Sequence, residues 1–191
     1  MKTLVFLFSI LFISLQSTAQ AIGDYSLLDA VTGRTVSVNS KLGTKGMVII
    51  FHSLDCPFAG MYQGRIKALR ATFQNEGINF ILINPDSDNS PAAQEKLRRF
   101  IDQSGINTSY LIDEEQKLVK LFQISKIPEA IILAPGANGL EVKYKGAIDN
   151  NPQAVTSVSE RFLERAINQV LRGEVPTPTQ VRATGCNIRN F

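Results

Sequence analysis

Three observations predict an α/β chain in which a mixed sheet is covered by helices on both faces. A continuous apolar run over residues 47–51 and a second, mostly apolar run over 78–83 have the β-branched content of strands buried on both sides, and a helical pattern joins them. A later pair of apolar and alternating runs flanks Pro135-Gly136-Ala137-Asn138-Gly139, a turn-forming stretch that makes the pair an antiparallel hairpin. Val155, Val158, Phe162, Ala166 and Val170 then recur at helical intervals, which predicts a closing helix laid on one face. Strands alternating with helices, followed by a hairpin and a helix, give the layered architecture.

Residues 1–21 combine Lys2, an apolar segment over 4–15 and the small and polar stretch Ser17-Thr18-Ala19-Gln20-Ala21, the order of a secretory leader. The apolar segment is broken by Ser9 and is shorter than the roughly 18 residues that a spanning helix needs. Removal after Ala19 or Ala21 would leave no stable membrane anchor and an exported product, periplasmic or extracellular. About 170 residues remain, enough for one compact domain with a sizeable core. The expected division is a domain over 22–171 and an extended tail over 172–191 that carries Cys186. The chain has 20 basic and 17 acidic residues, and removing Lys2 leaves 19 and 17. Charges so nearly balanced and so scattered exclude the clustered basic face of a nucleic-acid binder.

Taken in order, residues 25–28 and the alternating run 35–38 form a short antiparallel lead-in across the turn Thr32-Gly33-Arg34. A glycine-bearing polar loop over 41–46 leads to the first apolar run. Met61, Ile66, Leu69 and Phe73 predict a helix over 57–75 that Gly77 ends. Ser90-Pro91 opens a second helix in the N-cap and first-turn pattern, with Leu97, Phe100 and Ile101 on one face and Gly105 as its stop. Residues 110–112 make a short strand, and Asp113 is placed to cap a helix over 114–122. Ile127-Pro128 precedes a strand over 130–133, and 140–144 returns beside it. The closing helix should run from the lead-in at 150–153 to about residue 171. Beyond it, Pro176 and Pro178 and the lack of any period predict an extended tail.

The chemistry gathers at Cys56. The first apolar run delivers it to a turn, and Pro57 follows in the position that proline favours at the start of a helix. Unpaired N–H groups and the positive end of the helix dipole there favour a thiolate, the nucleophilic form of cysteine. The bland alternative is an inert cysteine packed as a small hydrophobe.

A strand entering Cys-Pro at a helix start, Ile127-Pro128 before a later strand, and a hairpin and helix after it resemble the thioredoxin fold. The segments CPFAGMYQGRI, KYKGAIDNNP and TGCNIR are similar to those of the peroxiredoxin-like group of AhpC/TSA redoxins. That resemblance implies a thiol-dependent oxidoreductase of antioxidant type with Cys56 as the attacking residue. It implies a disulfide, a thiol or a peroxide as substrate, an external reductant, and no cofactor or metal. It also implies that Pro128 is a cis-proline facing Cys56, with the backbone of Ile127 open to an extended substrate segment. Two departures stand out. Ala59 occupies the place of the second cysteine of the thioredoxin dithiol motif, so a local two-cysteine mechanism is excluded. Ser53 and Ile49 stand where peroxiredoxins have threonine and proline, although Ser53 still offers a hydroxyl.

Cys186, the only other cysteine, has three readings: a resolving residue that attacks oxidised Cys56, half of a structural disulfide, or a free thiol. With a structural bridge, the chain would be a non-catalytic binding module on the same scaffold. His52, the single histidine, and Asp55 are candidate electrostatic partners of the thiolate. Neither they nor the cysteines match a usual zinc spacing. Asp149 is expected to orient the loop before the last helix. The sequon at Asn107-Thr108-Ser109 is too short a match to carry weight.

Overall fold

The computed structural model describes residues 22–137 and 139–189. The expected leader lies outside the described residues. The elements in order are β1 (Ser26–Asp29), β2 (Arg34–Ser37), β3 (Gly46–Phe51), α1 (Pro57–Phe73), β4 (Ile78–Asn84), α2 (Pro91–Ser104), β5 (Ser109–Ile112) and α3 (Lys117–Phe122). They continue with β6 (Lys126–Ile127), β7 (Glu129–Gly136), β8 (Gly139–Gly146), α4 (Phe162–Leu171), β9 (Gln180–Val181) and β10 (Cys186–Asn187). One sheet has the order β2-β1-β5-β4-β3-β7-β8-β9, and β10 pairs separately with β6. β3 runs parallel to β4 and antiparallel to β7, which makes the sheet mixed, as expected.

The two-residue period of β3 splits the core. Val48 and Ile50 join a cluster with Tyr62 and Ile66 of α1, Leu97 and Ile101 of α2, and Leu163 and Ile167 of α4. Met47, Ile49 and Phe51 face the other way, against Leu118, Val119 and Phe122 of α3. All six residues of β3 are buried, which is why the run contains no polar side chain.

Several boundaries differ from the sequence expectation for local reasons. α3 begins at Lys117 and not at residue 114, because Gln116 takes a left-handed conformation, φ 54°. Asp113 still caps it, reaching across that turn to accept from the N–H groups of Lys117, Leu118 and Val119 at 2.8, 3.0 and 3.1 Å. The hairpin is tighter than a loop over 135–139, since β7 continues to Gly136 and β8 starts at Gly139. The closing helix is much shorter than expected. Asn150 Oδ1 accepts from the N–H groups of Ser159 and Glu160, and Asn151 Oδ1 accepts from those of Gln153 and Ala154. These side-chain bonds compete with helical ones and keep the segment looped until Phe162.

The tail is extended, and it is also paired. β9 lies parallel to β8, and a Cβ at Gly146, φ 141°, would fall on the backbone of Val181. β10 lies antiparallel on β6.

A buried ion pair ties α1 to the loop after β8. Arg65 Nη1 donates to both carboxylate oxygens of Asp149, at 2.7 and 2.9 Å, and to the carbonyl of Asn151 at 2.7 Å. Tyr62 donates its hydroxyl proton to Asp149 at 3.0 Å, and burial followed by that carboxylate pushes its phenol above the ordinary range. Asp149 also accepts from the N–H of Asn151, so it orients the loop as expected. Its principal partner, Arg65, has no signal in the sequence. Replacing Asp149 by Ala leaves the guanidinium without a counter-charge and should lower the unfolding free energy by about 3 to 5 kcal/mol. The double replacement Arg65→Met with Asp149→Leu should cost less than Asp149→Ala alone, as urea denaturation of the three proteins will show.

Candidate active site

The sheet carries the chain to the site. His52 extends β3 by one bond, its N–H donating to the Ile83 carbonyl at 2.8 Å. A turn follows in which the Cys56 N–H donates to the Ser53 carbonyl at 3.2 Å. Cys56 is the N-cap residue of α1 in extended conformation, and Pro57 occupies the first turn, as the Cys-Pro pattern predicts.

Cys56 is bonded to Cys186, with an S–S distance of 2.07 Å and Cα atoms 5.9 Å apart, across a separation of 130 residues. The free-thiol reading of Cys186 is therefore set aside. The Ile127–Pro128 peptide is cis and stands against the bridge, with the Ile127 carbonyl oxygen 3.2 Å from Cys56 Sγ. This is a contact and not a hydrogen bond, since a bridged sulfur carries no proton. Ala59 and Ile127, with Phe58 and Ile188, enclose the sulfurs in a small apolar cluster. Cys56 is 3% exposed, while Cys186 is only partly buried. The two cysteines, Pro57, Ile127 and Pro128 are thus brought together.

The other candidates fall elsewhere. The buried Ser53 hydroxyl accepts from the N–H of Asp55 at 3.3 Å, holding the turn. Asp55 points to solvent and pairs with Lys96 at 3.3 Å and with Arg189 at 3.4 Å. Its charge is committed to those cations and serves to hold the tail.

His52 is corrected from a positive partner to a neutral core side chain. Its ring packs against Phe100 and Tyr110, and its Nδ1 lies 2.6 Å from the Tyr110 hydroxyl. That hydroxyl in turn donates to the His52 carbonyl at 3.1 Å. Among the described residues Nε2 is buried without a partner, and burial lowers the pKa from 6.5 to about 4.

Four residues that matter here escaped the sequence reading: Gly185, Lys126, Asp86 and Arg189. Arg189 accepts at its carbonyl from Gln116 Nε2 at 2.6 Å, and its N–H donates to Asp86 at 3.4 Å. The carboxylates that receive this tail lie more than a hundred residues before it, so no spacing could have linked them. Among the described residues no group of three or more His, Cys, Asp and Glu side chains could hold a metal ion, and no helix is long and apolar enough to cross a membrane.

His52 also fixes a pH dependence. The unfolded chain binds a proton at this residue near pH 6.5, whereas the folded chain resists it down to about pH 4. Stability should accordingly rise with pH across that window, by on the order of 3 kcal/mol in all, and be lost as pH falls through it. As the only histidine, its ring resonance gives the folded value directly by NMR, and His52→Leu should flatten the slope of urea midpoint against pH.

A family model described as the AhpC/TSA family matches residues 18–142. No curated protein matches the chain. Among solved structures, it is similar to an uncharacterized conserved protein from Geobacillus kaustophilus, with a TM-score of 0.78 and 23% identity, covering 91% of this chain and 92% of that one. A hypothetical protein from Sinorhizobium meliloti 1021 gives 0.76 and 23%, covering 88% and 92%. A secreted Mycobacterium tuberculosis disulfide oxidoreductase gives 0.54 and 15%, covering 78% and 95%. At these identities the likeness establishes the thioredoxin-like fold.

Proposed function

The chain belongs to the AhpC/TSA family, and from that premise we propose that it is an exported thiol–disulfide oxidoreductase in which Cys56 attacks and Cys186 resolves. The observation that carries this reading is the Cys56–Cys186 bridge at the start of α1, against Ile127 and Pro128. In the reduced protein the first-turn N–H groups of α1 favour the Cys56 thiolate. That thiolate attacks one sulfur of a substrate disulfide, and the other substrate sulfur leaves as a thiolate. The Cys186 thiolate then attacks Cys56 Sγ, releasing the second substrate thiolate and forming the bridge. Two electrons and two protons pass from the protein dithiol to the substrate.

An external dithiol restores the protein dithiol: one donor thiolate attacks Cys186 and releases Cys56, and the second donor thiolate then attacks the first donor sulfur, releasing Cys186 and leaving the donor as a disulfide. Cys186 is the more exposed half of the bridge, so a donor thiolate meets it first. Cys56 is the better leaving group of the two, because its thiolate departs onto a helix N-terminus. The leader pattern of residues 1–21 supports export, and an oxidising compartment suits the bridge. N-terminal sequencing of secreted protein should find cleavage after Ala19 or Ala21.

Disulfide exchange is favoured over peroxide chemistry because the threonine and proline of the peroxiredoxin pattern are replaced, and Arg65, one of the two arginines of α1, is committed to Asp149. Reduced protein mixed with oxidised glutathione should re-form the bridge, read as a loss of two hydrogens by mass. Cys186→Ser should instead accumulate glutathione on Cys56, and Cys56→Ser should not turn over. A bridge with a potential below about −300 mV, inert to these reagents, would mark it as a structural staple and the chain as a binding module.

A further inference from the structure

We propose that a strand bound on β6 must carry glycine immediately before its reactive cysteine, and that the chain's own Thr184–Arg189 segment occupies this place in the oxidised protein. The inference rests on the reading of Cys56 as nucleophile and of the Ile127 backbone as its substrate edge, and adds the sequence that edge selects.

β10 pairs with β6 in antiparallel register, Cys186 opposite Ile127 and Asn187 opposite Lys126. The main chain preceding Pro128 therefore already holds a strand whose cysteine is joined to Cys56. The residue before that cysteine is Gly185, and a Cβ there would fall on the Ile127 carbonyl oxygen, 2.6 Å from its carbon and 3.1 Å from Pro128 N. These are backbone atoms of the strand junction and cannot turn aside as a flexible side chain does. Any side chain at this position pushes the strand away from Cys56.

The following positions are read by side chains. Asn187 accepts from Lys126 Nζ at 2.5 Å, and Ile188 packs on the cluster formed by Cys56, Ala59 and Ile127. Arg189 reaches Asp55 with its guanidinium and Asp86 with its N–H. The groove thus selects glycine, cysteine, a polar residue, an apolar residue and a base in succession.

Apart from the bridge, the segment is held by two residues of pairing in β10, the Gln116 bond to the Arg189 carbonyl and the packing of Ile188, while the Arg189–Asp55 and Lys126–Asn187 contacts are exposed to solvent. Once the dithiol is formed the strand is free to leave, and the β6 backbone groups it satisfied are open to a second strand. Cys56 attacks the cysteine of that partner strand, whose disulfide partner leaves as a thiolate. The returning tail then displaces the strand as Cys186 takes over the bond to Cys56.

The test uses the full chain carrying Cys186→Ser, which leaves Cys56 as its only thiol. Its probes are the peptide Thr-Gly-Cys-Asn-Ile-Arg, activated at cysteine as a thiopyridyl disulfide, and the same peptide with alanine for glycine or glutamate for arginine. Release of thiopyridone follows attack by Cys56, and the rates of each peptide with free cysteine correct for intrinsic reactivity. The glycine peptide should react about tenfold or more faster than the alanine peptide, and faster than the glutamate peptide. Equal rates for glycine and alanine would overturn the proposal while leaving the oxidoreductase reading intact. The thiopyridyl disulfide of cysteamine, too small to use the groove, reports on Cys56 alone; failure to react with it would remove that underlying reading. Adding Gly185→Ala to the Cys186→Ser chain should unseat the tail and raise the rate with the glycine peptide, and a lowered rate would count against the docked tail as its competitor.

Discussion

Residues 46–51 are buried on both faces, and that burial dictates where everything else can stand. A strand with no exposed side must be hydrogen-bonded on both edges and packed above and below. β4 and β7 take its edges, and helices from two layers take its faces. Its end is consequently held from every side. The turn that follows has little freedom, and the cysteine that closes it is fixed at the first turn of α1. Positioning of this kind is what the proposed function would use, since a reduced Cys56 would meet the first-turn N–H groups of α1.

Much of this was readable in the residues themselves. Apolar runs with β-branched residues marked β3 and β4, and Ser90-Pro91 and Cys56-Pro57 marked two helix starts, because each of these signals acts over a few residues. Asp113 as a cap and the Ile127–Pro128 junction were legible for the same reason, the second with help from family resemblance. The errors came where polar side chains act on the backbone at a distance of several residues. Asn150 and Asn151 loop a stretch whose apolar spacing is that of a helix. A left-handed backbone at Gln116, a separate cause, starts α3 three residues later than expected.

What stayed hidden was long-range. His52 alternates onto the face where Phe100 and Tyr110 wait, and only the assembled layers show that its ring is buried and neutral. Arg65 looks like one more surface cation of an amphipathic helix until Asp149 is folded against it. The tail lacks periodicity because its partners are the backbone of β6 and β8, the carboxylates of Asp55 and Asp86, and one sulfur. Pairing with main chain leaves almost no mark on sequence, apart from glycines where two backbones come close, as at Gly146 and Gly185.

The covalent link between Cys56 and Cys186 closes a loop of most of the folded chain. A cross-link of that span restricts the unfolded ensemble by roughly 5 kcal/mol in the chain-entropy account. On the proposed cycle, the bond that records each completed turnover would also set the molecule's durability. Wherever proteases act on unfolded chains, the bridged form would outlast the reduced one. The ambient balance of thiols and disulfides would then govern abundance as well as activity, with no separate regulator.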